Sequence, residues 1–149
     1  MEMLSSTIPE HLDPCYSIGE AAQICNVSVH TLRLYEAENL IILYKTKSGR
    51  RYFSELEIEK IKNIRLMIQQ GLNFEGIRRL IALVPCWKLR NCTNGGEWKT
   101  CLSYRSRSLP CWASEKKCLH PLPSCRDCGV YQQIISYDDI IGYIQSSFA

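Results

Sequence analysis

No stretch of this sequence approaches the roughly eighteen continuous apolar residues that cross a bilayer as a helix. The opening Met1-Glu2-Met3-Leu4-Ser5-Ser6-Thr7 lacks the basic start and apolar run of a secretory signal. Together these absences predict a cytoplasmic protein with no membrane partner. Charge of one sign is scarce too: the formal net charge is +3, and residues 1–84 hold ten Lys/Arg against ten Asp/Glu. Total charge therefore does not announce a nucleic-acid binder, and only local pattern can. Aliphatic residues are few in the segment 85–131, which carries Gly95-Gly96 and four prolines, so that segment cannot easily close an apolar core of its own. No general base, nucleotide loop or triad-like constellation accompanies its cysteines, which argues against an enzyme, a thiol oxidoreductase included.

What is present is a globular composition, 46% apolar over 149 residues, with room for one ordinary domain or two small ones. Nine cysteines are spread unevenly. Cys15 and Cys25 stand alone in the first part, where cysteine behaves as a small hydrophobe on a helical core face. Cys86, Cys92, Cys101, Cys111, Cys118, Cys125 and Cys128 crowd into the later part. In a reducing compartment such thiols serve metals or redox chemistry rather than a disulfide framework.

Ser17-Ile18-Gly19-Glu20 has the serine and the glutamate of a capping box, and Ile18, Ala21, Ala22 and Ile24 follow as an apolar stripe. Ser28 caps a second helix through Val29 to Glu36, joined to the first by the tight turn Cys25-Asn26-Val27. That is helix-turn-helix spacing. The extended run Leu40-Ile41-Ile42-Leu43-Tyr44, a basic loop and Tyr52-Phe53 then read as a two-stranded wing. Lys45, Lys47, Arg50 and Arg51 fall within seven residues at its tip, with no acid between them. Ser54 and Glu57 form another capping box before a helix whose Ile58, Ile61, Ile64 and Ile68 share a side until Gly71 ends it. A further helix through Phe74 to Ile81 stops before Pro85.

The blocks Tyr16-Ser17-Ile18-Gly19-Glu20-Ala21-Ala22, Thr31-Leu32-Arg33-Leu34-Tyr35-Glu36 and Gly49-Arg50-Arg51-Tyr52-Phe53 resemble the signature motifs of the MerR family of regulators, in order and spacing, over about residues 15–84. One departure is Leu34, where the family usually carries the first of two aromatics. By position, the resemblance implies that Arg33, Tyr35, Arg50, Arg51 and Tyr52 contact the DNA backbone, with Lys47 on the same wing. His30 and Thr31, early on the second helix, are placed to reach base edges. The resemblance further implies a homodimer on double-stranded promoter DNA, RNA polymerase at that promoter, and an output by DNA distortion.

The later segment repeats. Pro85-Cys86-Trp87, Cys92 and Cys101-x-x-Tyr104 recur as Pro110-Cys111-Trp112, Cys118 and Cys128-x-x-Tyr131, at offsets of 25, 26 and 27 residues. This unit resembles the two-CW cysteine-rich module appended to bacterial signalling proteins. With so poor a core, metal bonds are the natural staple, and Cys125-x-x-Cys128 has the spacing to face one ion. Irregular intervals between the other five cysteines favour an iron–sulfur cluster, with zinc as the alternative and His120 as a possible zinc ligand. Trp87 and Trp112 read chiefly as the hydrophobic plugs of the module.

MerR-like proteins dimerise through a long antiparallel coiled coil, but Pro85 and Gly95-Gly96 interrupt that region here. A substitute seam is offered by Val130, Ile134, Tyr137, Ile141, Ile144 and Phe148, although Ser136 with Asp139 starts a helix only near Tyr137. The expected layout is mainly α: an N-terminal arm at 1–14, a winged helix-turn-helix domain at 15–84, and at 85–149 a small metal-stapled cysteine-rich module with a short C-terminal helix.

Overall fold

The computed structural model describes residues 13–84, 112 and 128–146. The chain divides into two compact units, residues 1–62 and 63–149. That division falls inside a helix rather than at the start of the cysteine repeat.

The first unit is built on local capping. Strand β1 (Tyr16–Ser17) runs directly into helix α1 (Ile18–Cys25), because Ser17 is both the last strand residue and the N-cap. Its hydroxyl accepts from the Glu20 N–H at 3.2 Å, and the Glu20 carboxylate accepts from the Ser17 N–H at 2.9 Å. The buried face of α1 is Ala21, Ala22 and Cys25, while Ile24 is 43% exposed. The expected stripe thus loses Ile24, while Cys25 lies on the core face as expected. Asn26 ends α1 in the left-handed region at φ 56°, a conformation a side-chain amide tolerates better than most. Helix α2 (Val29–Ala37) begins two residues later on the N-cap Ser28, whose hydroxyl accepts from the Thr31 N–H at 3.0 Å. Leu32 and Tyr35 form its buried face.

The wing is strands β2 (Tyr44–Lys45) and β3 (Arg51–Phe53), antiparallel with Tyr44 opposite Tyr52 and Lys45 opposite Arg51. The pairing is shorter than the apolar run suggested, because Leu40, Ile41 and Leu43 turn into the core instead. β3 is also flanked on its other side by β1, with Tyr16 opposite Phe53 and Ser17 opposite Tyr52. The sheet therefore has three strands in the order β1-β3-β2 where the sequence suggested two. Phe53, with no exposed surface, plugs the core from the central strand.

Helix α3 (Glu55–Gln69) starts at Ser54, whose N–H donates to Glu57 Oε1 at 3.0 Å and whose hydroxyl donates to the same oxygen. Leu56, Ile58 and Ile61 are buried in the first unit, and Ile64 and Met67 in the second. Met67, not Ile68, continues the apolar face. In the second unit the turn after α3 uses Gly71 at φ 110°, and the Leu72 N–H closes onto the Met67 carbonyl at 3.0 Å. Asn73 then caps helix α4 (Phe74–Ala82) through a 2.7 Å bond from the Gly76 N–H, and Ile77 and Ile81 are buried. Near the C-terminus lie helix α5 (Gly129–Gln133) and helix α6 (Tyr137–Ser146).

The seam expected across this end is not one helix. Ile134 is extended, at φ −92° and ψ 95°, which separates α5 from α6. A reciprocal cap restarts the helix: the Asp139 N–H donates to Ser136 Oγ at 3.1 Å, and the Ser136 N–H donates to Asp139 Oδ2 at 2.9 Å. Val130, Tyr131, Ile134 and Ile140 are the buried residues of this stretch. Tyr137 is exposed, on an open cleft it shares with Leu72, Leu80 and Leu83. Ile141 and Ile144 are half-buried, and Phe148 lies outside the described residues.

Candidate nucleic-acid interface

The reading helix and the wing belong to one unit, and each carries exposed polar groups set by local structure. Within the first turn of α2, His30 is exposed. Thr31 beside it is half-buried, and its hydroxyl shares a 2.9 Å hydrogen bond with Ser28 Oγ. That bond ties the Thr31 hydroxyl to the helix cap. Arg33 is exposed and meets no carboxylate among the described residues.

Tyr35, by resemblance a backbone contact, is only 2% exposed and lies on the inner face of α2. One residue before it, Leu34 is half-buried, so the position where the family has an extra aromatic does not replace it at the surface.

The wing tip is preorganised by Thr46. Its N–H donates to the Arg50 carbonyl at 2.9 Å, its carbonyl accepts from the Gly49 N–H at 2.9 Å, and its Oγ1 accepts from the Arg50 N–H at 3.1 Å. A further 2.8 Å bond joins the Thr46 and Ser48 hydroxyls. Gly49 adopts φ 89°, the left-handed region that permits so tight a loop. Lys47 and Arg50 project from this loop, exposed and without an acidic partner among the described residues.

The other two wing cations are engaged. Arg51 Nε donates to Glu36 Oε1 at 2.6 Å, and Lys45 Nζ lies 3.2 Å from Glu36 Oε2. Sequence reasoning missed Glu36, although a signal existed. A carboxylate in the last turn of a helix faces the negative end of the helix dipole, so its presence there calls for a cation from elsewhere. Tyr52 is half-buried on β3, and the exposed Tyr44 opposite it, also missed, puts a second phenol on the wing.

At the base of the domain, the Tyr16 hydroxyl donates to Glu55 Oε1. That bond, more than loss of water or the carboxylate's charge, pushes the Tyr16 phenol up to about 12. Cys15 corrects an expectation: it is exposed, not on a core face. Its thiol is raised first by partial loss of water and then by the negative charge of Asp13 and Glu55, which disfavours a reactive thiolate. Cys25 is buried as expected, its thiol 3.9 Å from the Ile58 carbonyl.

Of the seven candidate metal ligands, only Cys128 lies among the described residues; Cys86, Cys92, Cys101, Cys111, Cys118 and Cys125 lie outside them, as do Trp87 and His120. Cys128 is buried, carries a free thiol and stands at the N-cap of α5. No cluster of three potential ligands occurs among the described residues. Trp112, beside Cys111 in the second copy of the repeat, meets Tyr131 edge-on.

A short first helix, a tight turn, a second helix with exposed polar groups at its start, and a hairpin with a cationic tip define the winged helix-turn-helix class of DNA-binding domain. Residues 16–83 match the family model described as MerR HTH family regulatory protein. The HTH-type transcriptional regulator GlnR of Bacillus anthracis is 33% identical over 70 residues, 47% of this chain and 54% of that protein. The HTH-type transcriptional regulator ZntR of Escherichia coli (strain K12) is 33% identical over 69 residues, 46% of this chain and 49% of that one. A putative heat shock protein HspR of Streptomyces coelicolor is 34% identical over 71 residues, covering 47% of each. The chain thus spans about half the length of these curated relatives. Among the described residues, no helix is long and apolar enough to cross a membrane.

Proposed function

We propose that this chain is a transcriptional regulator that binds promoter DNA through α2 and the wing, and that its cysteine-rich segment carries a metal centre through which the regulator senses redox state, metal or a related signal. One observation carries the DNA reading: Lys47 and Arg50 are held out on a preorganised wing tip with no acid to neutralise them among the described residues. Lys47, Arg50 and Arg33 would lie on phosphates, and His30 would reach a base edge. The protein would act as a homodimer on a palindromic element beside RNA polymerase, with its signal states differing in how well the paired domains fit distorted DNA.

Duplex binding across a salt series tests this. Lys47→Ala with Arg50→Ala removes four phosphate contacts from a bound dimer and is expected to flatten the salt slope by about 3.6, since each contact contributes roughly 0.9. An unchanged affinity and slope would defeat the assignment.

For the metal centre we favour an iron–sulfur cluster held among Cys86, Cys92, Cys101, Cys111, Cys118, Cys125 and Cys128, on the strength of the repeat and its spacing. The packed Trp112–Tyr131 pair favours a second reading, in which the segment is a zinc-stapled platform for dimerisation or docking without a sensing role. Metal analysis and a visible spectrum of anaerobically purified protein separate the two. A colourless protein with stoichiometric zinc eliminates the cluster.

A further inference from the structure

The four wing cations are not equivalent. Lys45 and Arg51 stand opposite each other across β2 and β3. Like charges at registered positions destabilise a strand pair. Here both converge on the two oxygens of one carboxylate, Glu36, at 3.2 and 2.6 Å, and that carboxylate is only 18% exposed. Glu36 belongs to α2, so the same contacts fasten the wing to the reading helix. Lys47 and Arg50, on the loop between the two strands, are left outside the arrangement.

We propose that Glu36 is a positioning residue that sets how well the protein distinguishes its own site from arbitrary DNA, by withholding Lys45 and Arg51 from phosphates and holding the wing at a fixed pose against α2. The proposal rests on the DNA-binding reading above. Its physical basis is that phosphate contacts carry no sequence information, so every cation released to the backbone raises affinity for all duplexes alike. Base reading, by contrast, depends on rigid placement of the helix, which a tie to the wing supplies. A single carboxylate serves both ends: it removes sequence-blind attraction and it orders the elements that read sequence.

The test uses the full chain, a duplex enriched from a random pool by the wild-type protein, and a scrambled duplex of equal length. With Glu36→Gln, nearly the same shape without the charge, the salt slope on scrambled DNA is expected to steepen by about one to two per bound protomer, about two to four for the dimer, and affinity for that duplex to rise several-fold. The ratio of enriched to scrambled affinity is expected to fall about tenfold. An unchanged slope, or an equal change on both duplexes, overturns the proposal.

A second variant keeps Glu36 and removes its partners, Lys45→Gln with Arg51→Gln, so the proposal stands or falls even if Glu36→Gln does not fold. Its slope is expected to stay within about half a unit of wild type while the affinity ratio falls. A slope flattened by about 3.6 for the dimer would place both cations of each protomer on phosphates in the wild-type complex and overturn the proposal. Wild-type protein that binds neither duplex defeats the DNA reading, and the proposal with it. Wild-type binding with an ordinary salt slope and an inert Glu36→Gln defeats the proposal alone.

Discussion

Trp112 and Tyr131 meet edge to face, ring centroids 5.1 Å apart and planes at 87°. Both are signature residues of the second copy of the cysteine repeat, and Tyr131 has no exposed surface. The pair therefore anchors this part of the second unit by packing. Tyr131→Ala is expected to cost about 3–5 kcal/mol, as for other large aromatic truncations. Combined with Trp112→Ala in a double-mutant cycle, it should show coupling of about 0.5–1.5 kcal/mol in denaturant unfolding. Strict additivity would mean the rings touch without stabilising each other.

Ser28 separates helix stability from DNA contact. Its hydroxyl caps α2 by accepting from the Thr31 N–H. Ser28→Ala should cost about 1 kcal/mol by thermal unfolding, and Ser28→Asp should restore most of it, because both oxygens cap well. The aspartate also adds a negative charge at the start of the reading helix. Duplex affinity is therefore expected to stay low in Ser28→Asp while stability returns; recovery of both would show that this end of α2 does not approach DNA.

Gly49 tests the wing loop. A Cβ there would meet nothing within 4 Å, yet the residue sits at φ 89°. Any penalty in Gly49→Ala is thus conformational rather than steric contact with neighbours, about 1–2 kcal/mol. Denaturant midpoints should register it, and Gly49→Asn should lose less, since asparagine tolerates that region better. Equal midpoints for all three proteins would show that the loop relaxes to another shape.

The Tyr16–Glu55 bond predicts a late-titrating phenol. Absorbance titration should show one tyrosine ionising near the value of about 12 to which Glu55 raises it, and Glu55→Gln should return that tyrosine toward the ordinary value of 10.0. The native state binds this proton more tightly than the unfolded chain does. Its contribution to stability is therefore complete below pH 10.0 and is lost as the pH rises toward about 12. A titration in which no tyrosine is delayed rules the bond out in solution.

The helix starts were legible in the sequence because capping is local chemistry. Ser17 with Glu20, Ser28, Ser54 with Glu57, and Ser136 with Asp139 all engage as their spacing suggests. Periodicity revealed which segments are helical more surely than which side faces in. Cys25 is buried as its small apolar character suggested, but Ile24, one position before it, is exposed, because the packing partner is invisible in a linear pattern. The same limit explains the C-terminal seam, whose regular spacing runs straight across the extended Ile134 and skips Tyr131 and Ile140, both without exposed surface. Among the candidate contacts, the exposure of His30, Arg33, Lys47 and Arg50 was legible from charge and position. The burial of Tyr35 and the engagement of Arg51 were not, because each depends on a residue brought close only by folding.

Strand β3 offers three consecutive residues to three different tasks. Arg51 points its guanidinium to α2 through Glu36, Tyr52 sits between Ser17 and Tyr44, and Phe53 fills the core. Side chains alternate along a strand, so sliding β3 by a single position would exchange these assignments all at once, exposing the phenylalanine and turning a tyrosine inward. Evolution of the wing is consequently free in only one place. Lengthening or shortening can be absorbed in the loop at 46–50, where reach toward DNA changes and register does not, whereas a one-residue insertion at 51–53 would dismantle reading helix, wing and core together.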